Sequence, residues 1–69
     1  MVSIKIILKV KEFREKIGLT MFQLSIAVDV SEAYISEIEN GKRIPSLEVV
    51  CRLAQALKCS LSDLVKYDD

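Results

Sequence analysis

The chain has 69 residues, of which 51% are hydrophobic and 29% charged, and its ten basic residues balance ten acidic ones. A chain of this length forms one small domain, which buries only about 60% of the surface that its unfolded form exposes. Zero net charge excludes a uniformly basic nucleic-acid binder, because any attraction to phosphate must then come from uneven placement of charge. With no histidine and no glycine-rich phosphate loop, the sequence also offers no set of residues typical of an enzyme.

Two cysteines, Cys51 and Cys59, are too few for a disulfide framework, or for a metal site in a chain without histidine. Both fall at positions predicted to lie in the core, so we expect free thiols, no metal and no cofactor. The N-terminal segment MVSIKIILKV is too short and too interrupted by lysine to span a membrane, and it shows no signal-peptide cleavage site. We therefore expect a soluble protein of the reducing cytoplasm.

The first predicted helix covers about residues 4–17, with Ser3 as its cap and Gly18 as the residue that ends it. Its apolar positions follow a 4,3,4 spacing, and Arg14 and several lysines occupy the opposite side. The β-branched run Ile4 to Val10 is also compatible with a short strand. The apolar face of the helix consists of Ile6, Val10, Phe13 and Ile17.

Two short helices joined by a tight turn are predicted next, over about 21–28 and 32–39. Thr20 and Gln23 form a capping box for the first of them, and Ser31 caps the second. Asp29 tolerates the left-handed conformation that the turn needs, and Asn40-Gly41 ends the second helix. Inward apolar residues should hold the pair from behind, which is the geometry of a helix-turn-helix that presents a recognition helix. These inward residues are Leu24, Val28, Ile35 and Ile38, and the outward ones are Glu32, Ala33, Ser36 and Glu37.

Two further helices complete the prediction, over about 47–58 with Ser46 as cap and over 61–65 with a Ser60/Asp63 capping box. We expect residues 67–69 to form a frayed tail, with Leu61 and Leu64 anchoring the last helix. The result is an all-α fold, a compact bundle of five helices in a single domain over residues 1–69. The predicted buried stripe of the fourth helix is Leu47, Val50, Cys51, Ala54 and Leu57, with Val49, Leu53 and Ala56 widening it.

These motifs resemble the lambda-repressor-like (Xre) family of bacterial and phage regulators, over about Val10 to Leu64. The segment YISEIENGKRIPS is the most specific part of the likeness. The resemblance implies the five-helix fold and a sequence-specific, repressor-type transcriptional regulator that binds double-stranded DNA as a homodimer. The residues that carry it are Gly18-Leu19-Thr20, Leu24, Val30-Ser31, Tyr34-Ile35-Ser36, Ile38 to Arg43 and Pro45-Ser46-Leu47.

The resemblance also assigns the residues that contact DNA. Base contacts fall on Glu32, Ala33 and Glu37, with Ser36 at their margin. Contacts to the DNA backbone fall on Met21, Asn40, Lys42 and Arg43, with Tyr34 beside them, and Glu39 is structural. The dimer surface is placed around Leu57, Leu61, Val65 and Tyr67.

Three of the positions assigned to DNA contact depart from the family pattern, which commonly has glutamine at Met21 and Gln, Arg or Lys at Glu32 and Glu37. A glutamate can accept a hydrogen bond from the cytosine N4 amino group, and Ala33 can touch a thymine methyl. Equally, Glu32 can serve the helix dipole, a contribution of about 0.3–1 kcal/mol, and Glu37 can be an ordinary surface residue.

Phe22 and Ile26 are apolar where the family usually carries polar residues. They predict either an exposed patch, or a surface covered by Ile4, Ile7 and Leu8. An exposed patch favours a second hypothesis, a protein-interaction module that keeps the fold and binds another regulator or a toxin.

Overall fold

The computed structural model describes residues 4–68. Five helices form the body of the molecule, and a two-stranded antiparallel sheet pairs the N-terminal segment of the described chain with its C-terminal segment. The all-α prediction is therefore right for the helices and incomplete for the chain ends. The elements are β1 (Lys5–Leu8), α1 (Val10–Lys16), α2 (Met21–Val28), α3 (Glu32–Glu39), α4 (Leu47–Ala56), α5 (Leu61–Leu64) and β2 (Val65–Asp68).

One hydrophobic core lies between the helices. The inward positions predicted for α2 and α3 are confirmed, because all four of those side chains are at most 3% exposed. No helix within residues 4–68 is long and apolar enough to cross a membrane. The core residues are Val10, Leu24, Val28, Ile35, Ile38, Val50, Leu53, Ala54, Leu57 and Leu64.

Side-chain caps fix where four of the helices begin. The Thr20 hydroxyl accepts a hydrogen bond from the Gln23 backbone N–H at 3.0 Å, and the Gln23 side chain accepts one from the Thr20 N–H at 2.9 Å. Ser60 forms the same reciprocal capping box with Asp63 at α5, whereas Ser31 and Ser46 cap α3 and α4 only by accepting from the backbone N–H three residues later. Hydrogen bonds from the Ser60 hydroxyl and backbone N–H hold the pKa of Asp63 below its ordinary value. The four caps predicted for α2 to α5 are confirmed.

The N-terminal segment corrects the first predicted helix, which begins at Val10 rather than near residue 4. Residues Lys5–Leu8 form β1, and Ile6 lies opposite Tyr67 in the ladder with β2. The strand interpretation of this run is the correct one, because a β-branched run can pair with the other end of the chain. Ile17 lies beyond the end of α1 and is 42% exposed. The expected cap Ser3 lies outside the described residues.

The C-terminal segment also differs from its prediction. The helix α5 ends at Leu64, and Val65 to Asp68 continue directly into β2. The expected fraying is therefore wrong for Tyr67 and Asp68, whose backbones pair with β1, while Asp69 lies outside the described residues. Only Leu64 of the two expected anchors is buried, since Leu61 is 43% exposed.

The buried stripe of α4 is rotated relative to the prediction. Leu53 is fully buried, whereas Leu47 is 74% exposed and Cys51 is also exposed. The helix ends at Ala56 rather than at Lys58, which has the left-handed φ of 56°. Cys59 is half-buried, and this burial raises the pKa of its thiol. The expectation of two core cysteines is thus wrong for Cys51 and partly right for Cys59.

Candidate nucleic-acid interface

The helices α2 and α3 pack against each other, and the one buried polar residue within residues 4–68, Ser25, lies on α2. Ser25 is 3% exposed, and its hydroxyl donates to the Phe22 carbonyl at 2.6 Å, so its polar group is satisfied inside the helix. Asp29 takes the predicted left-handed conformation, with φ 60°, and the Val30 N–H donates back to the Ser25 carbonyl at 3.0 Å. The turn therefore sets α3 at a fixed angle to α2, with its outer face uncovered.

A bidentate ion pair holds the far end of α3. The Arg14 Nε donates to Glu39 Oε2 at 2.7 Å and Nη2 donates to Oε1 at 3.1 Å, while Nη1 donates to the Leu19 carbonyl at 2.8 Å. The two side chains are only 11% and 5% exposed. The hydrogen bond to Glu39 raises the pKa of Arg14 above its ordinary value. The pair ties α1 to the end of α3.

This pair confirms the structural role expected of Glu39 and corrects the position of Arg14, which was predicted on the exposed side of its helix. The sequence held one signal for it. Among the cations between Ile4 and Gly18, Arg14 is the only arginine, and the others are lysines. The planar guanidinium fits a buried carboxylate better than an ammonium group does.

The outer face of α3 carries the four residues predicted to read bases. Glu32 and Ala33 are exposed, and Ser36 and Glu37 are partly exposed. None of them belongs to the core. The predicted outward direction of this face is therefore confirmed.

At the end of this face, three side chains form a cluster, which we call the Glu37–Arg43–Tyr34 cluster. The Arg43 Nε donates to Glu37 Oε1 at 2.8 Å, and the guanidinium carbon lies 4.9 Å from the centre of the Tyr34 ring. The Arg43 and Glu37 side chains are 48% and 44% exposed, so water reaches both. The hydrogen bond to Glu37 raises the pKa of Arg43 above its ordinary value. Arg43, expected as a phosphate ligand, is thus already paired.

The turn after α3 brings the loop back across the end of the helix. Asn40 Nδ2 donates to the Ser36 carbonyl at 2.9 Å, Gly41 takes a φ of 71°, and the Lys42 N–H donates to the Glu37 carbonyl at 2.8 Å. The Asn40 amide is therefore occupied by the helix end. Lys42 is exposed, and none of the three ion pairs found within residues 4–68 includes it.

Pairing changes the local charge balance of this surface. The segment from Thr20 to Arg43 contains more acids than bases. Arg14 and Arg43 neutralise Glu39 and Glu37, which leaves Asp29 and Glu32 as acids and Lys42 as the base. The face is thus closer to neutral than the sequence alone indicates.

The other residues expected at the DNA backbone or the dimer surface differ in how far they are exposed. Met21 is half-buried and packs on the core with a side chain that cannot donate a hydrogen bond. Leu57 is 1% exposed, and this corrects its expected place in a dimer surface, because a core side chain cannot contact a second subunit. Leu61, Val65 and Tyr67 line an open groove at the surface.

Two apolar residues of α2 are exposed to solvent. Phe22 is 57% and Ile26 65% exposed, so the exposed-patch interpretation is confirmed. The covering interpretation is wrong, since Ile4 and Ile7 are themselves 56% and 43% exposed and Leu8 packs against the core.

Comparison with known proteins places this geometry among regulators. A helix-turn-helix family model matches residues 10–64. An uncharacterized HTH-type transcriptional regulator of Archaeoglobus fulgidus is 34% identical over 61 residues, which cover 88% of this chain and 87% of the relative. The names of the similar sequences describe transcriptional regulation and no catalytic activity.

Two solved structures share the fold. The clp gene regulator ClgR of Corynebacterium glutamicum is 35% identical with a TM-score of 0.76, over 78% of this chain and 57% of that one. The restriction-modification controller protein C.AhdI of Aeromonas hydrophila is 27% identical with a TM-score of 0.76, over 80% of this chain and 83% of that one. The chain thus spans little more than half of ClgR and most of the controller protein.

Proposed function

Because the chain belongs to the helix-turn-helix family of DNA-binding transcriptional regulators, we propose that it acts as a repressor that reads the major groove of double-stranded DNA with α3. The observation that carries this proposal is the outer face of α3, which is uncovered while its inner face is fixed. Ile35 and Ile38 pack behind it, and the Arg14–Glu39 pair holds its end. A helix fixed in this way can enter the groove without rearrangement of the domain.

Base recognition is assigned to the four outward residues of α3. Glu32 and Glu37 offer carboxylate oxygens that can accept from the cytosine N4 amino group, and Ala33 can contact a thymine methyl. Ser36 can pair with several bases, so it adds less discrimination. A matched pair of this kind is worth about 1–3 kcal/mol of discrimination against a wrong base.

Contacts to the DNA backbone are assigned to the residues around the two ends of the motif. Lys42 supplies the cation, Asn40 lies at the C-terminal end of α3, and Tyr34 lies in its first turn. Met21 contributes its backbone N–H at the positive end of α2 rather than its side chain. Arg43 is the exception, because its guanidinium already holds a carboxylate.

We further propose that the protein binds a two-fold symmetric operator as a homodimer, because one small domain makes too few contacts to hold a site alone. The surface assigned to the dimer is the groove around Leu61, Val65 and Tyr67.

Selection of bound fragments from a random duplex library, at two salt concentrations, tests this function. A two-fold symmetric consensus is the expected result. Replacing Lys42 with alanine should weaken binding to all duplexes alike and flatten the slope of log K against log salt by about 0.9 for each subunit of the dimer, because each subunit loses one phosphate contact. Lys11→Ala, an exposed lysine of α1 that no ion pair found within residues 4–68 includes, is the matched control and should leave the slope unchanged. Failure to enrich any sequence would overturn the proposal.

The exposed Phe22 and Ile26 support a second candidate, in which the domain binds another protein through α2. A Phe22→Ser/Ile26→Ser variant should then lose its partner and keep its affinity for DNA. An apolar contact of this kind changes little with salt, whereas DNA binding falls steeply, so the salt slope separates the two functions.

A further inference from the structure

We propose that Arg43 determines base specificity by positioning and neutralising Glu37, and that it does not bind phosphate. In this arrangement Glu37 is the cytosine-reading residue, and the positive charge of Arg43 offsets the repulsion between the Glu37 carboxylate and the DNA phosphates. The inference rests on the proposed DNA-binding function and names the residue pair that gives that function its specificity.

The geometry of the ion pair leaves Glu37 able to accept a second hydrogen bond. Arg43 Nε contacts only the Oε1 atom, at 2.8 Å. No other hydrogen bond to the Glu37 side chain occurs within residues 4–68, so Oε2 keeps its acceptor capacity. Because the side chain is 44% exposed, a base edge can reach that oxygen.

Tyr34 explains why Arg43 stays where it is. Tyr34 and Glu37 lie three residues apart and therefore on the same face of α3. The guanidinium lies 4.9 Å from the Tyr34 ring centre while its Nε bonds to the carboxylate, so two contacts restrain one side chain. Tyr34 in turn packs partly against the core, which ties the cluster to the body of the domain.

The charge of the Glu37–Arg43 pair gives a further reason for this assignment. A lone carboxylate on the recognition face would repel the phosphates and release no counterion. Paired with Arg43, it presents a neutral unit that still accepts a hydrogen bond. The Arg43 guanidinium is therefore already paired with a carboxylate of the same domain. The cation that remains available in this loop is Lys42, which no ion pair found within residues 4–68 includes.

A double-mutant cycle on the duplex selected by the wild-type protein tests this role. The variants are Arg43→Ala, Glu37→Gln and the double substitution, and thermal melts confirm that each one folds. We expect Arg43→Ala to lower affinity about tenfold by leaving an uncompensated carboxylate, and to weaken the preference for cytosine at one operator position. Glu37→Gln should abolish that preference. It should also steepen the salt slope by about 0.9 for each subunit of the dimer, because the released Arg43 becomes an additional cation at the DNA.

The double variant and a conservative variant sharpen the test. If Arg43 acts through Glu37, the double variant should bind more tightly than Arg43→Ala alone, since no unpaired carboxylate remains. Arg43→Lys keeps the charge and loses the planar group that bonds Glu37 and lies over Tyr34, so it should restore overall affinity but not the full cytosine preference. Arg52→Ala, which removes an exposed arginine from a pair on α4, is the control and should alter neither readout.

Other results would overturn the inference. If Arg43→Ala flattens the salt slope by about 0.9 for each subunit and keeps the base preference, Arg43 is a phosphate ligand. If the effects of the two substitutions simply add, Arg43 does not act through Glu37. A wild-type protein that selects no duplex would refute the proposed function itself. That result is seen with the wild-type protein alone, so it is distinct from a failure of the inference about Arg43.

Discussion

Two glutamates of α3 each hold an arginine, and the two pairs differ in almost everything except their chemistry. Glu39 meets Arg14 at 2.7 Å with side chains 5% and 11% exposed, and Glu37 meets Arg43 at 2.8 Å with side chains 44% and 48% exposed. The inner pair joins α3 to another helix, whereas the outer pair joins it only to its own following loop. Burial therefore separates a contact that holds α3 in place from one that lies on the exposed face of α3.

Physical chemistry predicts opposite consequences for the two pairs. Removing one partner of a buried pair leaves an uncompensated charge in poor contact with water, which is strongly destabilising. An exposed pair is hydrated and screened, so its loss costs little stability. The inner pair should therefore appear in stability measurements, and the outer pair in recognition.

The largest expected effect is that of Glu39→Gln. We expect a loss of about 3 kcal/mol in the free energy of unfolding, because Arg14 remains buried without a carboxylate. For a domain of this size the melting temperature should fall by more than about 10 °C. Urea unfolding followed by circular dichroism measures the change, with Glu37→Gln as the matched control on the same helix. Equal losses in the two variants would refute the distinction between the pairs.

Ser31→Ala should have an intermediate effect, because it loosens the other end of the same helix. The Ser31 hydroxyl accepts from the Tyr34 N–H at 3.0 Å, and loss of such a cap costs about 1 kcal/mol. Ser31→Asp keeps an acceptor at the cap and should retain most of the stability in the same unfolding experiment. A Ser31→Ala variant as stable as the wild type would show that the interior contacts of α3 suffice to hold its first turn.

The sequence predicts the parts of the fold that depend on near neighbours. The caps at Thr20, Ser31, Ser46 and Ser60 each bond a residue three positions later, so local spacing reveals them. The strand pair is different, because Ile6 meets Tyr67 at the other end of the chain. A β-branched run of four residues is compatible with either structure until its partner is known.

The remaining errors arise from patterns that allow more than one solution. Apolar residues occupy several faces of α4, so the spacing does not decide between Cys51 and Leu53 as the buried position. Among the site residues, the outward face of α3 was predictable because the inward positions Ile35 and Ile38 define it. The partners of Glu37 and Glu39 were not, because Arg43 and Arg14 reach them from a loop and from another helix.

The smallest expected change in stability is that of Glu37→Gln, which isolates the reading face from the scaffold. The melting temperature should match that of the wild type within error, because both members of the pair are hydrated. Glu48→Gln is the matched control, since Glu48 also pairs with an arginine at the surface, Arg52 at 2.9 Å on α4. Both variants should unfold like the wild type, yet only Glu37→Gln should change the base preference in a duplex-binding assay. A similar change in both would mean that base preference follows the overall charge of the domain, whereas a change confined to Glu37 would place recognition at one exposed carboxylate.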